Sequence, residues 1–373
     1  MDSCTVKTRI LIISDTHCAL LTSDGSDEGV CQPFKAPLPK ADILIHCGDL
    51  THTGSTEEYH NALDMLKEID IPVKVVIAGN HDRSLDRDWV LGHLESENLT
   101  ADQGNAKWKQ ARDLWTAPDG RAMMEGVTFL DEGVHQVHLT NGAHINIYAS
   151  PYTPEFCDWG FPYEQSEDRF NTPLTSLSDA SNVAHCPIPG FSPEKPIDIL
   201  VTHGPPYARL DAVERGVFVG CPHLLRALMR ARPRIHCFGH IHEGWVSISK
   251  GRSFALRRVA NSDGRIVQGA EVIHWSSDAG QASGRPTTTD KWKTDGWKAG
   301  IAADGGIDAV QADLLAARER HAAFLDLSSD GLALVRGQST AVINAAIMNV
   351  AYEPVNAPWL VDIDLRLPGQ PSK

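Results

Sequence analysis

No stretch of this chain approaches the roughly 20 consecutive apolar residues that a bilayer-spanning helix needs, so no transmembrane segment is expected. The opening residues, Met1-Asp2-Ser3-Cys4, lack the apolar run of a secretory leader. Paired cysteines are missing too. Eight cysteines are scattered over 373 residues with no C-x-x-C pair, which argues against a cysteine-held zinc. Several, Cys47 and Cys237 among them, fall inside apolar runs, and unpaired buried thiols fit a reducing cytosol. A cytoplasmic location is therefore expected. Positive charge is in deficit: 34 Lys and Arg stand against 48 Asp and Glu, a net charge of −14. Long nucleic acids and anionic membranes both need a basic face, so neither is expected as a partner. There is no internal repeat.

At 42% hydrophobic residues the chain can bury a sizeable core, in one large domain or two smaller ones. Five short apolar runs share one property: each stops at His, Asp or Asn. Arg9 to Ser14 ends in Asp15-Thr16-His17, and Ile43 to Cys47 ends in Gly48-Asp49. Val73 to Ala78 ends in Gly79-Asn80-His81-Asp82. Ile197 to Val201 ends in Thr202-His203-Gly204, and Ile235 to Phe238 ends in Gly239-His240-Ile241-His242. Open α/β folds place their chemistry at the carboxyl ends of strands. Five such ends can converge on a two-metal site, with Asp49 as the carboxylate shared by both ions.

The candidate ligands are Asp15, His17, Asp49, Asn80, His203, His240 and His242. Carboxylate oxygen and imidazole nitrogen suit manganese, iron or zinc. Asp15 and His17, like His240 and His242, are two apart, so on extended backbone they point the same way. Each pair can approach one ion or divide between two. Two cations a few ångströms apart need an anionic ligand between them, and a water held there loses its proton near neutral pH and can attack phosphorus. The leaving oxygen then needs a proton donor. His81 is the candidate, with a structural histidine or one more ligand as its alternatives. Asp82 is expected either to orient His81 or to cap the helix that follows, the cap being preferred. Gly48, Gly79, Gly204 and Gly239 fit tight turns where backbone must approach the metals.

The remaining pattern sets the organisation. Leu20 to Lys40 is rich in Ser, Gly, Asp and Pro and reads as a surface loop. Tyr59, Leu63 and Leu66 recur at helical spacing, predicting a helix over Thr56 to Ile69 with Ser55 or Thr56 as its cap. Leu85 to Arg121 is helical in part. Gly126 to Leu130, Val134 to Leu139 and Ala143 to Ala149 read as strands of a second sheet. In the long Ser150–Pro196 loop, Phe156-Cys157-Asp158-Trp159-Gly160-Phe161 is dense in aromatics; Trp159 and Phe161 either wall a pocket or pin the loop. Cys221 to Met229 reads as a helix with Pro222 in its first turn. Lys250 to Arg336 changes character, with Gly, Ser, Thr and Asp runs and Trp275, Trp292 and Trp297. It is expected to be a partly mobile insertion holding a helix over Ile307 to Phe324. Thr340 to Ile347 and Trp359 to Leu365 return to strand patterning and are expected to complete the second sheet. The division is a core over 1–249, an insertion over 250–336 and C-terminal strands over 337–373.

In order, the five strand-end motifs resemble the complete motif set of the calcineurin-like metallophosphoesterases. Phe156-Cys157-Asp158-Trp159-Gly160-Phe161, Thr202-His203-Gly204-Pro205-Pro206, Val219-Gly220-Cys221 and Phe238-Gly239-His240-Ile241-His242-Glu243-Gly244 are similar to the metallophosphoesterase-domain-containing group, related to class III cyclic-nucleotide phosphodiesterases. The resemblance covers about residues 8–248 and 338–367. It implies a four-layer αββα sandwich, two mixed sheets flanked by helices, with a dimetal site at the strand ends. It further implies one ion on Asp15, His17, Asp49 and His242, a second on Asp49, Asn80, His203 and His240, and His81 at the scissile phosphate. The implied activity is metal-dependent hydrolysis of a small-molecule phosphoester, diester or monoester, cyclic nucleotides included. Leu50-Thr51-His52-Thr53-Gly54 lacks the arginine that protein phosphatases carry near here and has His52 where purple acid phosphatases place a tyrosine ligand, which disfavours both. A different use of the same site, opening a carbon–oxygen or carbon–carbon bond in a non-phosphate metabolite, is the alternative reaction. A vestigial binding protein is a third reading, opposed by the intact ligand set.

Overall fold

The computed structural model describes residues 5–23, 33–213, 217–244, 259–260, 266–267, 269–275 and 320–367. Two six-stranded sheets carry the fold. Their strands in chain order are β1 (Thr5–Ile13), β2 (Ile43–His46), β3 (Lys74–Val76), β4 (Val127–Phe129), β5 (Gly133–His138), β6 (His144–Ser150), β7 (Ile199–Thr202), β8 (Ile235–Phe238), β9 (Ala270–His274), β10 (Ala323–Asp326), β11 (Ser339–Asn344) and β12 (Trp359–Arg366). The first sheet runs β10-β12-β1-β2-β3-β4 and the second β9-β11-β8-β7-β6-β5.

The strand patterning explains the layering. In β1, Ile10 and Ile12 face the space between the sheets, while Leu11 and Ile13 face outward. A strand apolar on both faces must be covered on both. The inner core joins Ile12, Ile45 and Val75 of one sheet to Ile147, Val201 and Ile343 of the other. Outside the first sheet, α1 (Thr56–Glu68) lays Tyr59, Leu63 and Leu66 on Leu11 and Leu44, with Trp115 of α2 (Ala101–Thr116) in the same cluster. Outside the second, α3 (Pro222–Ala231) packs Leu224 and Leu228 with Leu200 and Val342. Four layers, αββα, result. The helix starts follow local rules: Ser55 and Glu58 form a capping box at α1, and Pro222 takes the first position of α3 behind Cys221.

Three expectations change. The strand over 126–130 joins the first sheet, as β4 beside β3 with Val75 opposite Thr128. Trp359–Arg366 also joins the first sheet, antiparallel to β1 with Ile10 opposite Val361; only Ser339–Asn344 completes the second, parallel to β8. Alternation tells which faces a strand buries, not which sheet takes it. Most of the helix expected over Ile307 to Phe324 lies outside the described residues, as do Trp292 and Trp297, and its end, Ala323 and Phe324, is strand β10. The mobility expected over 250–336 likewise concerns residues that are largely outside the description. The described parts of that stretch include β9 and β10, an edge strand of each sheet.

Candidate metal centre

β1, β2, β3, β7 and β8 run parallel within their sheets, so their carboxyl ends deliver five loops to one place. The loops are laced together by backbone bonds: Asp15 N donates to Gly48 O (2.9 Å) and His17 N to Asp49 O (3.1 Å). Asp15, His17, Asp49 and His240 all sit in left-handed backbone, with φ of 54°, 42°, 54° and 66°. Strain of this kind in non-glycine residues gathers at functional sites. Gly48 needs its freedom: its φ is 99° and a Cβ there would lie 2.6 Å from Ala78 O.

All seven expected ligands meet. Asp49 Oδ2 lies 3.6 Å from His17 Nε2 and 3.3 Å from His203 Nε2. Asp15 Oδ1 lies 3.3 Å from His242 Nε2. Asn80 Oδ1 lies 2.8 Å from both His203 Nε2 and His240 Nδ1. The His240 backbone N–H donates to Asp15, which ties the first loop to the last. Three overlapping groups have ligand atoms within 4.8 Å of one another: Asp15, His17 and His242; Asp15, Asp49 and His203; His17, Asp49 and His81. Asp15 and Asp49 each occur in two groups, a chain of sites sharing carboxylates. The third group also admits His81 as a ligand.

The chemistry of the donors fits divalent cations. His17, His203 and His242 each turn Nδ1 to a backbone carbonyl, of Thr51 (2.8 Å), Cys47 (2.9 Å) and Asn349 (3.0 Å). A carbonyl can only accept, so Nδ1 carries the proton and Nε2 faces inward. His17 Nε2 is buried with no hydrogen-bond partner, an orphan that a cation would satisfy. Without metal the centre is electrostatically divided. Burial pushes the His17 imidazole down to about 4 and that of His240 to about 3. Burial opposes charge at His203 as well, but Asp49 lifts it to about 9. Asp15, though desolvated, is drawn down to about 2 by His242, and imidazoles hold Asp49 well below the usual carboxylate range against its burial.

His81 stands beside the cluster. Its backbone N–H donates to Asp49 Oδ1 (2.8 Å) and its Nδ1 to His52 O (2.7 Å). Its ring stacks on Trp159 at 4.0 Å. Asp82 departs from expectation. It makes no cap bond to the short helix after it, and its carboxylate instead receives Leu50 N, Thr51 N, Thr51 Oγ1 and Gly79 N. It therefore braces the two loops that carry Asp49 and Asn80. Burial and then the Asp49 charge push it up to about 7 against those bonds. Phe161 is buried in the outer core of the first sheet, so it pins the loop.

Two contributors escaped the sequence reading. Tyr352, with φ 58°, brings its ring to 4.8 Å from His17 and 5.3 Å from His242; a tyrosine in a turn 110 residues past His242 gives no local signal. Buried His46 accepts from Gly48 N through Nδ1 and pairs Nε2 with Thr16 Oγ1 (2.9 Å). Its place at the end of an apolar strand, three residues before Asp49, could have flagged it.

Two mixed sheets with this nitrogen-and-oxygen cluster at their carboxyl ends define an α/β protein whose side chains could hold metal ions. The chain belongs to the calcineurin-like phosphoesterase family, whose model matches residues 8–244. It is 29% identical over 246 residues to metallophosphoesterase domain-containing protein 1 of Homo sapiens, covering 65% of this chain and 63% of that protein. It is 30% identical over 219 residues to a UPF0046 protein of Caenorhabditis elegans, covering 57% and 49%. It is also 32% identical over 239 residues to a protein of Emericella nidulans named probable rhamnogalacturonate lyase C, covering 64% of this chain but 17% of that one. The chain thus spans less than two thirds of the length of each of these relatives.

Proposed function

We propose that the protein hydrolyses a small-molecule phosphoester, diester or monoester, in a reaction dependent on two divalent ions, manganese, iron or zinc. Cyclic nucleotides are the first substrates to try. The observation that supports this is the convergence of seven nitrogen and oxygen ligands from five strand ends, with His81 at their edge. Asp15, His17, Asp49 and His242 would hold one ion, and Asp49, Asn80, His203 and His240 the other. When bound, such ions supply Lewis acidity towards phosphoryl oxygens and make a bound water more acidic. The chain's own residues do the rest. The carbonyls of Thr51, Cys47 and Asn349 fix which nitrogen of His17, His203 and His242 faces the site. His81 donates a hydrogen bond from Nδ1–H to His52 O, so a proton for the leaving oxygen of the ester has to be carried on Nε2. A cytoplasmic setting with a small-molecule partner suits this reading; among the described residues no helix is long and apolar enough to cross a membrane.

The test is turnover of an aryl phosphodiester and of a cyclic-nucleotide panel by manganese-loaded protein. His81→Ala is expected to lower kcat by roughly 10²–10³-fold. Turnover of a non-phosphate metabolite, with none on any phosphoester, would instead favour carbon–oxygen or carbon–carbon bond cleavage at the same site.

A further inference from the structure

Among the described residues the His81 ring makes one hydrogen bond, Nδ1 to His52 O. That bond fixes one corner of the imidazole, and the His17 ring meets it edge-on at 4.7 Å. The face of the ring is closed by Trp159, whose indole lies nearly parallel at 4.0 Å and 23°. That indole is backed in turn. The Arg83 guanidinium carbon lies 5.0 Å from the Trp159 ring and 4.8 Å from the Trp89 ring. Trp89 stacks on His93 at 4.0 Å and 14°. The result is a continuous column, His81–Trp159–Arg83–Trp89–His93, running outward from the metal centre.

The loop that carries Trp159 is bolted to the same scaffold. Trp89 Nε1 donates to Asp158 O (2.8 Å), and His93 Nε2 lies 2.8 Å from Asp158 Oδ2. Gly160 N donates to Asn80 O (2.9 Å), next in the chain to His81. A Cβ on Gly160 would sit 3.1 Å from that carbonyl and 3.2 Å from Arg83 Cα, so a larger residue there would push the two loops a few tenths of an ångström apart. Phe161 N donates to Asp86 Oδ2 (2.6 Å).

This geometry decides between two roles for Trp159. An aromatic wall that stacks against substrate needs an open face. His81 takes one face of this indole and Arg83 lies over its ring as well. We propose that Trp159 is a positioning residue for His81: it fixes the imidazole plane so that Nε2 meets the leaving oxygen in line, with Arg83, Trp89 and His93 as the backing that holds it there. The kinetic consequence rests on the hydrolase reading above; the structural one does not.

The test uses the full chain with Trp159→Leu, which keeps apolar bulk in the loop but has no flat face, and Trp159→Phe, which restores one. Imidazole ¹⁵N–¹H spectra of wild type are expected to show a protected His81 Nδ1–H. Trp159→Leu should lose that protection and Trp159→Phe keep it, with unchanged far-UV circular dichroism in both. On an aryl phosphodiester with manganese, Trp159→Leu should lower kcat about 10–100-fold with KM within about twofold, and Trp159→Phe should recover most of the loss. In a His81→Ala background, Trp159→Leu should cost nothing further, because it acts through the ring already removed. A protected Nδ1–H in Trp159→Leu, a rise in KM with kcat intact, or an additive loss in His81→Ala would each overturn the assignment. If wild type turns over no phosphoester, the hydrolase reading fails, while the imidazole spectra still decide the role of Trp159.

Discussion

Removing the Asp82 carboxylate should loosen the floor of the metal centre more than its surface. The group is fully buried, and each oxygen receives two donors: Oδ1 takes Thr51 N (3.0 Å) and Thr51 Oγ1 (2.7 Å), Oδ2 takes Leu50 N (3.2 Å) and Gly79 N (2.8 Å). An orphaned buried donor costs about 1–3 kcal/mol. Thr51 Oγ1 can turn elsewhere, leaving three backbone donors, and water can enter the hole, so the low end applies, about 3 kcal/mol for Asp82→Ala. Against a typical domain stability of about 5–15 kcal/mol that is a large share. Asp82→Asn should cost less. Its amide oxygen keeps one pair of donors, the Thr51 hydroxyl can rotate to accept from the NH₂ group, and one N–H is left facing it, for a loss of about 1–2 kcal/mol. Urea unfolding of metal-free protein gives the comparison without the added stability of bound ions. A loss below about 1 kcal/mol in Asp82→Ala, or an equal loss in the two variants, would refute the bracing role.

Metal-free protein should be pH-sensitive on the alkaline side. The folded-state pKa of His203 is raised from 6.5 to about 9, Asp49 outweighing burial. A raised value means the stabilisation is full below 6.5 and is lost as pH rises through 9. His242, also raised by Asp15 against its burial, adds in the same direction. Thermal unfolding between pH 6.5 and 9 should show the decline, and His203→Gln should flatten it. At Gly239, an added Cβ would run into Asp15 Oδ2 and Ser14 Oγ. Gly239→Ala is therefore expected to displace Asp15 and weaken metal binding by roughly 10–100-fold, measured by equilibrium dialysis; wild-type affinity in this variant would contradict the packing.

The motifs that name the family were legible because each is local. A short apolar run stopped by His, Asp or Asn is written in consecutive positions, and the Ser55 cap lies directly ahead of its helix. Ile10 to Ile13 is apolar without a break, which suits a strand covered on both faces, while the two sheets and outer helices came from the family resemblance. What sequence order could not supply was partnership. Whether Trp359–Arg366 lies beside β1 or beside β11 depends on which edge is open after every other strand has paired. Asp82 looked like a cap because a short helix follows it; its true partners are the amides of Leu50, Thr51 and Gly79, presented by loops that only the folded sheet brings together. His242 meets Asp15 across 227 positions and the Asn349 carbonyl across 107, and Trp159 reaches His81 from the other sheet. Local geometry sets which way a side chain points, whereas what it meets there is set by the closure of two sheets around one core.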